Sequence, residues 1–357
     1  MSRDSSRNTF LLRLGIGIFW LIALASFLYF PALMHVLYKE RSLTIFTWPS
    51  ILDSRYLTAF EKETGIKLHI TYYESNQELF GKLQASRGVG YDVIMPTDYT
   101  VEMLIKEKLI KKLDRSKLFF FNRLNRHLLG AYCDPTNDYS LPYFWGIYGI
   151  GINRKMIDST TMPTSWKLIF DSQVAPRGIG MSDESREAVL MAAYYLFGTI
   201  DIAYNKEQIA AIKKLLIEQK SWVEAYSETR SEYLLTSESC PVALALSPDI
   251  YKIKAEYLHI DFIVPEEGSF IFVDSIVVSA ASDKDEMIYQ FINYLYNQEV
   301  LEHHRKKFGF CSPVYEEVPL IPQGFCPSDE QLAHLHYFKD VIPQSVVNDI
   351  WITIMSR

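Results

Sequence analysis

The chain has 357 residues, 48% of them hydrophobic and 14% aromatic, which is ample for a large core divided between two lobes. Its net charge is −7; residues 1–38 carry +2, so the remainder carries −9 and lacks the basic footprint of a nucleic-acid-binding protein. Low-complexity stretches and short repeats are absent, so the body reads as ordered and globular.

The first element is apolar. Residues 14–38 contain no Asp, Glu, Lys or Arg, and Arg3, Arg7 and Arg13 precede them. About 20 apolar residues cross a bilayer as a helix, and upstream arginines hold the start of the chain in the cytoplasm. Residues 1–40 are therefore expected to be a signal peptide or a membrane anchor, with the body outside the cytoplasm. Ala23-Leu24-Ala25 offers a cleavage site, whereas the apolar run continuing through Phe30 and Leu37 favours a retained anchor.

Residues 42–48, rich in β-branched and aromatic side chains, predict a buried strand that Pro49 ends. Leu52, Tyr56 and Phe60 form one face of a helix that Gly65 stops. Residues 66–73 predict a strand, 77–86 a helix and 91–95 a third strand. This β-α-β-α-β order predicts a parallel sheet with helices on its faces. Ligands of such sheets sit beyond the carboxyl ends of the strands. Trp48 and Thr97-Asp98-Tyr99 occupy two of those ends.

Residues 139–153 are aromatic and glycine-punctuated and read as an extended crossover between lobes. Gly146, Gly149 and Gly151 run GxxGxG, which is not a dinucleotide fingerprint. A short helix is expected to start at 162–166. A short strand at 178–181 should lead into a helix capped by Ser182 or Asp183. Residues 206–218 predict a helix, 241–247 and 261–280 strands, and 283–296, 299–307 and 345–355 helices.

No Walker loop, HExxH or GxSxG motif is present, and neither a cofactor nor a metal is expected. His303 and His304 are adjacent and point about 100° apart on a helix. They, His334 and His336 read as surface histidines. The cysteines, Cys133, Cys240, Cys311 and Cys326, form no CxxC pair. Buried free thiols and a Cys311–Cys326 bridge, the shortest loop available, both fit.

Carboxylates are more informative. Glu184 and Glu187 share a face at a helix start, either facing a ligand or complementing the helix dipole. Asp274 lies inside the apolar run 269–278, where a buried carboxylate without a partner is costly. It either caps a strand end or faces a cleft and awaits a cation. Phe270 and Phe272 share its face by the two-residue strand period. A linear polyamine matches this combination. Its ammonium groups need carboxylates, and its methylenes need flat apolar walls that add cation–π attraction.

Eight stretches then fall in order: Ile45-Phe-Thr-Trp48, Phe60-Glu-Lys-Glu-Thr-Gly-Ile66, Tyr73-Glu-Ser-Asn76, Tyr91-Asp-Val-Ile-Met-Pro-Thr-Asp-Tyr99, Leu141-Pro-Tyr-Phe-Trp-Gly146, Ser165-Trp166, Glu184-Ser-Arg-Glu187 and Phe272-Val-Asp-Ser275. Together they resemble the periplasmic spermidine/putrescine-binding proteins from about residue 42 to 312. The resemblance implies an α/β, two-lobed type II periplasmic-binding-protein fold in which each lobe is a sheet flanked by helices. Lobe one is expected at 42–142 plus 275–312, and lobe two at 143–274 plus 313–357. It further implies a monomeric, periplasmic or membrane-anchored non-enzyme that hands a polyamine to an inner-membrane ABC permease with a cytoplasmic ATPase.

Position by position, the resemblance implies ligand contacts at Trp48, Thr97, Tyr99, Glu184, Glu187, Phe272 and Asp274. Asp98 is adjacent in sequence and ranks lower. Leu246 stands near a family Trp, and Phe310 near a family Tyr. The carboxylate frame is thus kept while the aromatic cage is thinned, unless Tyr251 or Trp222 replaces the missing ring. Alternatives are a receptor for thiamine or ferric iron, a ligand-free tethered adaptor, and an anchored hydrolase using Glu184 and Glu187. Iron needs clustered Tyr and His, which the motif positions lack. Two acids on one helix turn cannot easily flank a glycosidic bond.

Overall fold

The β-branched and aromatic residues of Ser42–Thr47 form strand β1, whose second half is fully buried. The helix Ser54–Thr64 follows, started by the Asp53 carboxylate on the Arg55 amide and stopped by Gly65 at φ 68°. Then come β2 (Lys67–Tyr72), the helix Asn76–Ser86, and β3 (Val93–Ile94). This is a computed structural model. It describes residues 41–157, 162–227, 230–316, 320–321, 324–332 and 334–356, so the expected leader or anchor lies outside the described residues.

The remaining strands are β4 (Ile110–Lys111), β5 (Ser140–Asn153), β6 (Ile179–Met181), β7 (Val223–Tyr226), β8 (Val242–Leu246), β9 (Ile260–Ile263), β10 (Ser269–Ser279) and β11 (Leu335–His336). They join in one 11-stranded sheet of order β2-β1-β3-β10-β5-β8-β6-β7, with β4 and β11 on β10 and β9 on β5. β2, β1 and β3 are parallel, as the βαβαβ pattern requires. β6 runs parallel to both β7 and β8.

The long strands β5 and β10 tie these two parallel groups together. β10 pairs with β3 and β4 through its C-terminal residues 277–279. β5 pairs with β8 and β9 through residues 148–153. Between these ends, β5 and β10 pair antiparallel with each other, with a register shift between Asp274 and Ser275. Such bulges bend a strand and re-aim its side chains. Gly146 lies opposite Phe272, where a Cβ would meet the Phe272 ring at 3.1 Å and Pro248 at 3.0 Å. The glycines of residues 139–153 therefore serve close packing.

Two expectations need correction. The helix after β6 is Ser185–Phe197, and its N-cap is Glu184, not Ser182 or Asp183. The Ser182 hydroxyl instead accepts from the Glu184 amide at 3.1 Å. Nor is His304 a surface residue: it is wholly buried. Its Nε2 accepts from the Asp53 amide at 3.0 Å, so Nδ1 carries the proton and donates to the Tyr143 hydroxyl at 2.7 Å. Burial pushes its pKa down to about 4. The His303 ring, 6.1 Å from that of His304 between centroids, meets the Asp53 carboxylate at 2.7 Å. The two rings thus lock the loop behind β1 onto the helix Gln298–Phe308.

Cys311 and Cys326 form a disulfide with Cα atoms 5.6 Å apart, while Cys133 and Cys240 are buried free thiols. A disulfide fits an oxidising, extracytoplasmic compartment.

Candidate ligand-binding site

The carboxyl ends of β1 and β3 open onto the β5–β10 ribbon, and a cavity of about 260 Å³ lies between them. Trp48, Thr97, Phe272 and Asp274 line it, as does Leu246. Tyr99, Glu184, Glu187, Asp98 and Phe310 are not in its lining.

Asp274 is the centre of the site. It sits at the β10 bulge and is 5% exposed. Thr97 opens the helix Asp98–Lys106 but does not cap it with its side chain. Its hydroxyl donates instead to Asp274 Oδ1 at 2.7 Å. Burial pushes the Asp274 carboxyl up to about 7, against Thr97 and Trp48, which favour the charged form. The Trp48 indole lies near enough to have this effect, although Nε1 closes no hydrogen bond of ordinary geometry. Both neighbours are neutral, so the buried carboxylate lacks a counter-charge from them.

Aromatic rings form the walls. Trp48 packs on Tyr73 with centroids 4.4 Å apart. Phe272 packs on Phe144 at 6.0 Å and edge-on to Tyr148 at 5.7 Å. Phe144 and Tyr148 also line the cavity. Both stand on β5 with Gly146 between them, so the two-residue strand period could have flagged them as a pair. They supply the flat surface that Leu246 does not. Tyr251 packs on Phe325, and Trp222 donates to the Ile169 carbonyl, so neither replaces the missing ring. Phe310 stands behind Phe144, with centroids 4.5 Å apart.

The two helix-start glutamates lie beside the cavity. Tyr148 donates to Glu187 Oε1 at 2.6 Å, and Ser182 donates to Oε2 at 3.0 Å. Burial, and then the charge of Glu184, raise the Glu187 pKa. Burial likewise raises Glu184 to about 7, opposed by the Gln77 side chain and the Asn76 amide. Those two groups open the helix Asn76–Ser86, so Glu184 reaches across to the half of the fold built on β1. Its Oε2 is buried with no hydrogen-bond partner. Its side chain makes no capping hydrogen bond to its own helix. Asp98 turns away from the cavity, accepting from Tyr132 at 3.1 Å and from the Val273 amide at 3.2 Å. Burial raises it to about 7.

Three charged residues of the lining carry no sequence signal: Glu232, Asp249 and Lys252. Glu232 lies on the helix Ser231–Thr236, and the other two on Ser247–Lys254, which follows β8. The cavity thus has one carboxylate of β10, Asp274, tied to Thr97 and Trp48 of the β1–β3 side, and further acids from the β8 side. Aromatic residues of β5 and β10 lie at the junction. This can hold an extended cation with an apolar middle.

The sequence matches the profile of the bacterial extracellular solute-binding proteins over residues 90–324. The chain belongs to that family. The spermidine/putrescine-binding periplasmic protein of Escherichia coli strain K12 is 29% identical over 277 residues, covering 77% of this chain and 78% of that one. The putrescine-binding periplasmic protein SpuD of Pseudomonas aeruginosa is 27% identical over 324 residues, covering 85% and 88%. A structure of a putative spermidine/putrescine ABC transporter from Listeria monocytogenes superposes with a TM-score of 0.80 at 26% identity, covering 89% of this chain and all of that one. The fold of this solute-binding protein is accordingly the mixed α/β, two-lobed periplasmic-binding type, with β5 and β10 linking its two strand groups.

Proposed function

We propose that this solute-binding protein captures a linear di- or polyamine between its lobes and delivers it to an ABC permease driven by a cytoplasmic ATPase. The observation that carries the reading is Asp274: a buried carboxylate with neutral partners, set in a cavity walled by Trp48, Phe144, Tyr148 and Phe272. An ammonium group supplies the missing charge, and the rings cover the methylenes. The relatives named above, which carry spermidine or putrescine in their names, support the same ligand class.

In this reading the lobes are 42–142 plus 275–312 and 143–274 plus 313–357, and they close over the ligand. Glu184, reaching Asn76 and Gln77, is an inter-lobe contact of the closed form. Glu187 acts through Tyr148 as a positioning group, and Tyr99, Asp98 and Phe310 support the walls from outside the cavity. The protein is a monomeric binding protein, not an enzyme. Glu187 is tied to Tyr148 and Ser182, and Glu184 is turned to the other lobe, which is not the arrangement of an acid and base flanking a bond. Residues 14–38 export the body to the periplasm or anchor it to the inner membrane. Among the described residues no helix is long and apolar enough to cross a membrane.

Titration calorimetry of the protein with putrescine, spermidine, spermine and thiamine tests the ligand class. Saturable binding of at least one amine, tighter than that of thiamine, is expected. Thiamine binding with no response to any of the amines would replace this reading by the thiamine alternative.

A further inference from the structure

The cavity contains a cation of its own. Lys252 lies three residues after Asp249 on one helix, and its Nζ is 2.8 Å from Asp249 Oδ1. The Lys252 side chain is 28% exposed and that of Asp249 14%. An ion pair at this spacing on an open helix face is common and weak. Here both partners line the ligand cavity, beside Glu232. Burial opposes the charged form of Lys252, but Asp249 and Glu232 outweigh it and raise its pKa, so the ammonium is present at neutral pH. Glu232 Oε2 is buried with no hydrogen-bond partner. One acid of this side is therefore neutralised within the protein, and another is left for a ligand.

Charge counting then sets a limit. The cavity is lined by three carboxylates, Asp274, Glu232 and Asp249, and one ammonium, Lys252. Buried charges are tolerated when each has a partner. Two carboxylates remain after the internal pair. A ligand with two ammonium groups balances them, whereas a third ammonium finds no free acid in the lining and meets Lys252 as a like charge.

Resting on the amine reading above, we propose that Lys252 is a built-in ammonium that fills one amine position of the cavity, making the protein select diamines over triamines. One ligand ammonium pairs with Asp274, the other with Glu232, and the Lys252–Asp249 pair closes that end.

The test compares putrescine and spermidine by calorimetry at pH 8, on the parent protein, Lys252→Met, and the double variant Lys252→Met/Asp249→Asn. The parent should bind putrescine at least as tightly as spermidine. Lys252→Met keeps most of the stem but frees Asp249, so the affinity ratio should move toward spermidine by about tenfold or more. The double variant restores the balance of two free acids, and its ratio should return to that of the parent. Lys252→Gln, equally neutral, replaces Lys252→Met if thermal unfolding shows the latter misfolded. Amine binding with an unchanged ratio in the neutral variants overturns the role of Lys252 and leaves the amine reading standing. A spermidine preference that persists in the double variant also overturns it, because space rather than charge would then be the cause. A parent that binds neither amine overturns the amine reading itself, and the role of Lys252 with it.

Discussion

Asp274→Asn is expected to weaken amine binding on the order of a hundredfold, ~2–3 kcal/mol, while leaving the unliganded protein as stable as before or more so. The affinity is lost because the variant removes the charge that meets the ligand ammonium, a charge-assisted contact in a cavity walled by aromatic rings. Stability should not fall, because Asn keeps an oxygen for the Thr97 hydroxyl that donates to Asp274 Oδ1 at 2.7 Å. The variant also takes away a buried charge that folding disfavours, as the rise of the carboxyl to about 7 indicates. Paired measurements of calorimetric affinity and thermal unfolding check both halves. A lowered unfolding temperature with unchanged affinity would make Asp274 a structural residue.

Amine affinity should also fall steeply on acidification, by about thirtyfold between pH 8 and pH 5.5. A ligand ammonium binds the ionised form of Asp274, which in the unliganded protein titrates at about 7. At pH 8 the group is mostly charged; ~1.5 units below its pKa only about 3% is, and the difference must be supplied on binding. Binding near pH 7 should accordingly release protons, which calorimetry in buffers of different ionisation enthalpy measures directly. In Asp274→Asn this part of the pH dependence should disappear.

Stability of the unliganded protein should follow the opposite course. Asp98, Asp274 and Glu184 have folded pKa values raised to about 7, above those of the unfolded chain. Each therefore penalises folding at pH 8, and the penalty is relieved as pH falls through 7. His304 acts the other way. Its folded value is lowered to about 4, so its contribution is complete above about 6.5 and is lost between there and pH 4. Three groups gain on acidification where one loses, so unliganded stability is expected to rise from pH 8 to about pH 5, and saturating amine should erase the part of that rise that comes from Asp274. Amine affinity that stays flat from pH 5.5 to pH 8 would mean that Asp274 does not meet the ligand.

Much of this architecture was legible because it depends on local pattern. The dense β-branched and aromatic run at 42–48 and the glycine-punctuated residues 139–153 became β1 and β5. The helix stop at Gly65 followed from backbone chemistry. Asp274 could be singled out since a lone carboxylate in an apolar strand demands a reason. What could not be read were groups brought together only by the closed fold. Glu232, Asp249 and Lys252 look like ordinary helix-surface charges in sequence, and their shared cavity arises because the helices Ser231–Thr236 and Ser247–Lys254 meet beyond β8. The burial of His304 is hidden from the sequence for a related reason. Its partners, Asp53 and Tyr143, are 251 and 161 residues away in the chain. The direction of the Glu184 side chain is hidden in the same way, because its partners Asn76 and Gln77 belong to the other half of the molecule.

The most direct measurement is a crystal structure of the protein with putrescine, grown near pH 8. One ammonium nitrogen should lie within hydrogen-bond distance of an Asp274 carboxylate oxygen, with the chain between Trp48, Phe144, Tyr148 and Phe272. The other should face Glu232 while Lys252 stays on Asp249. Putrescine bound outside the cavity, or in it with Asp274 making no contact, would contradict the account.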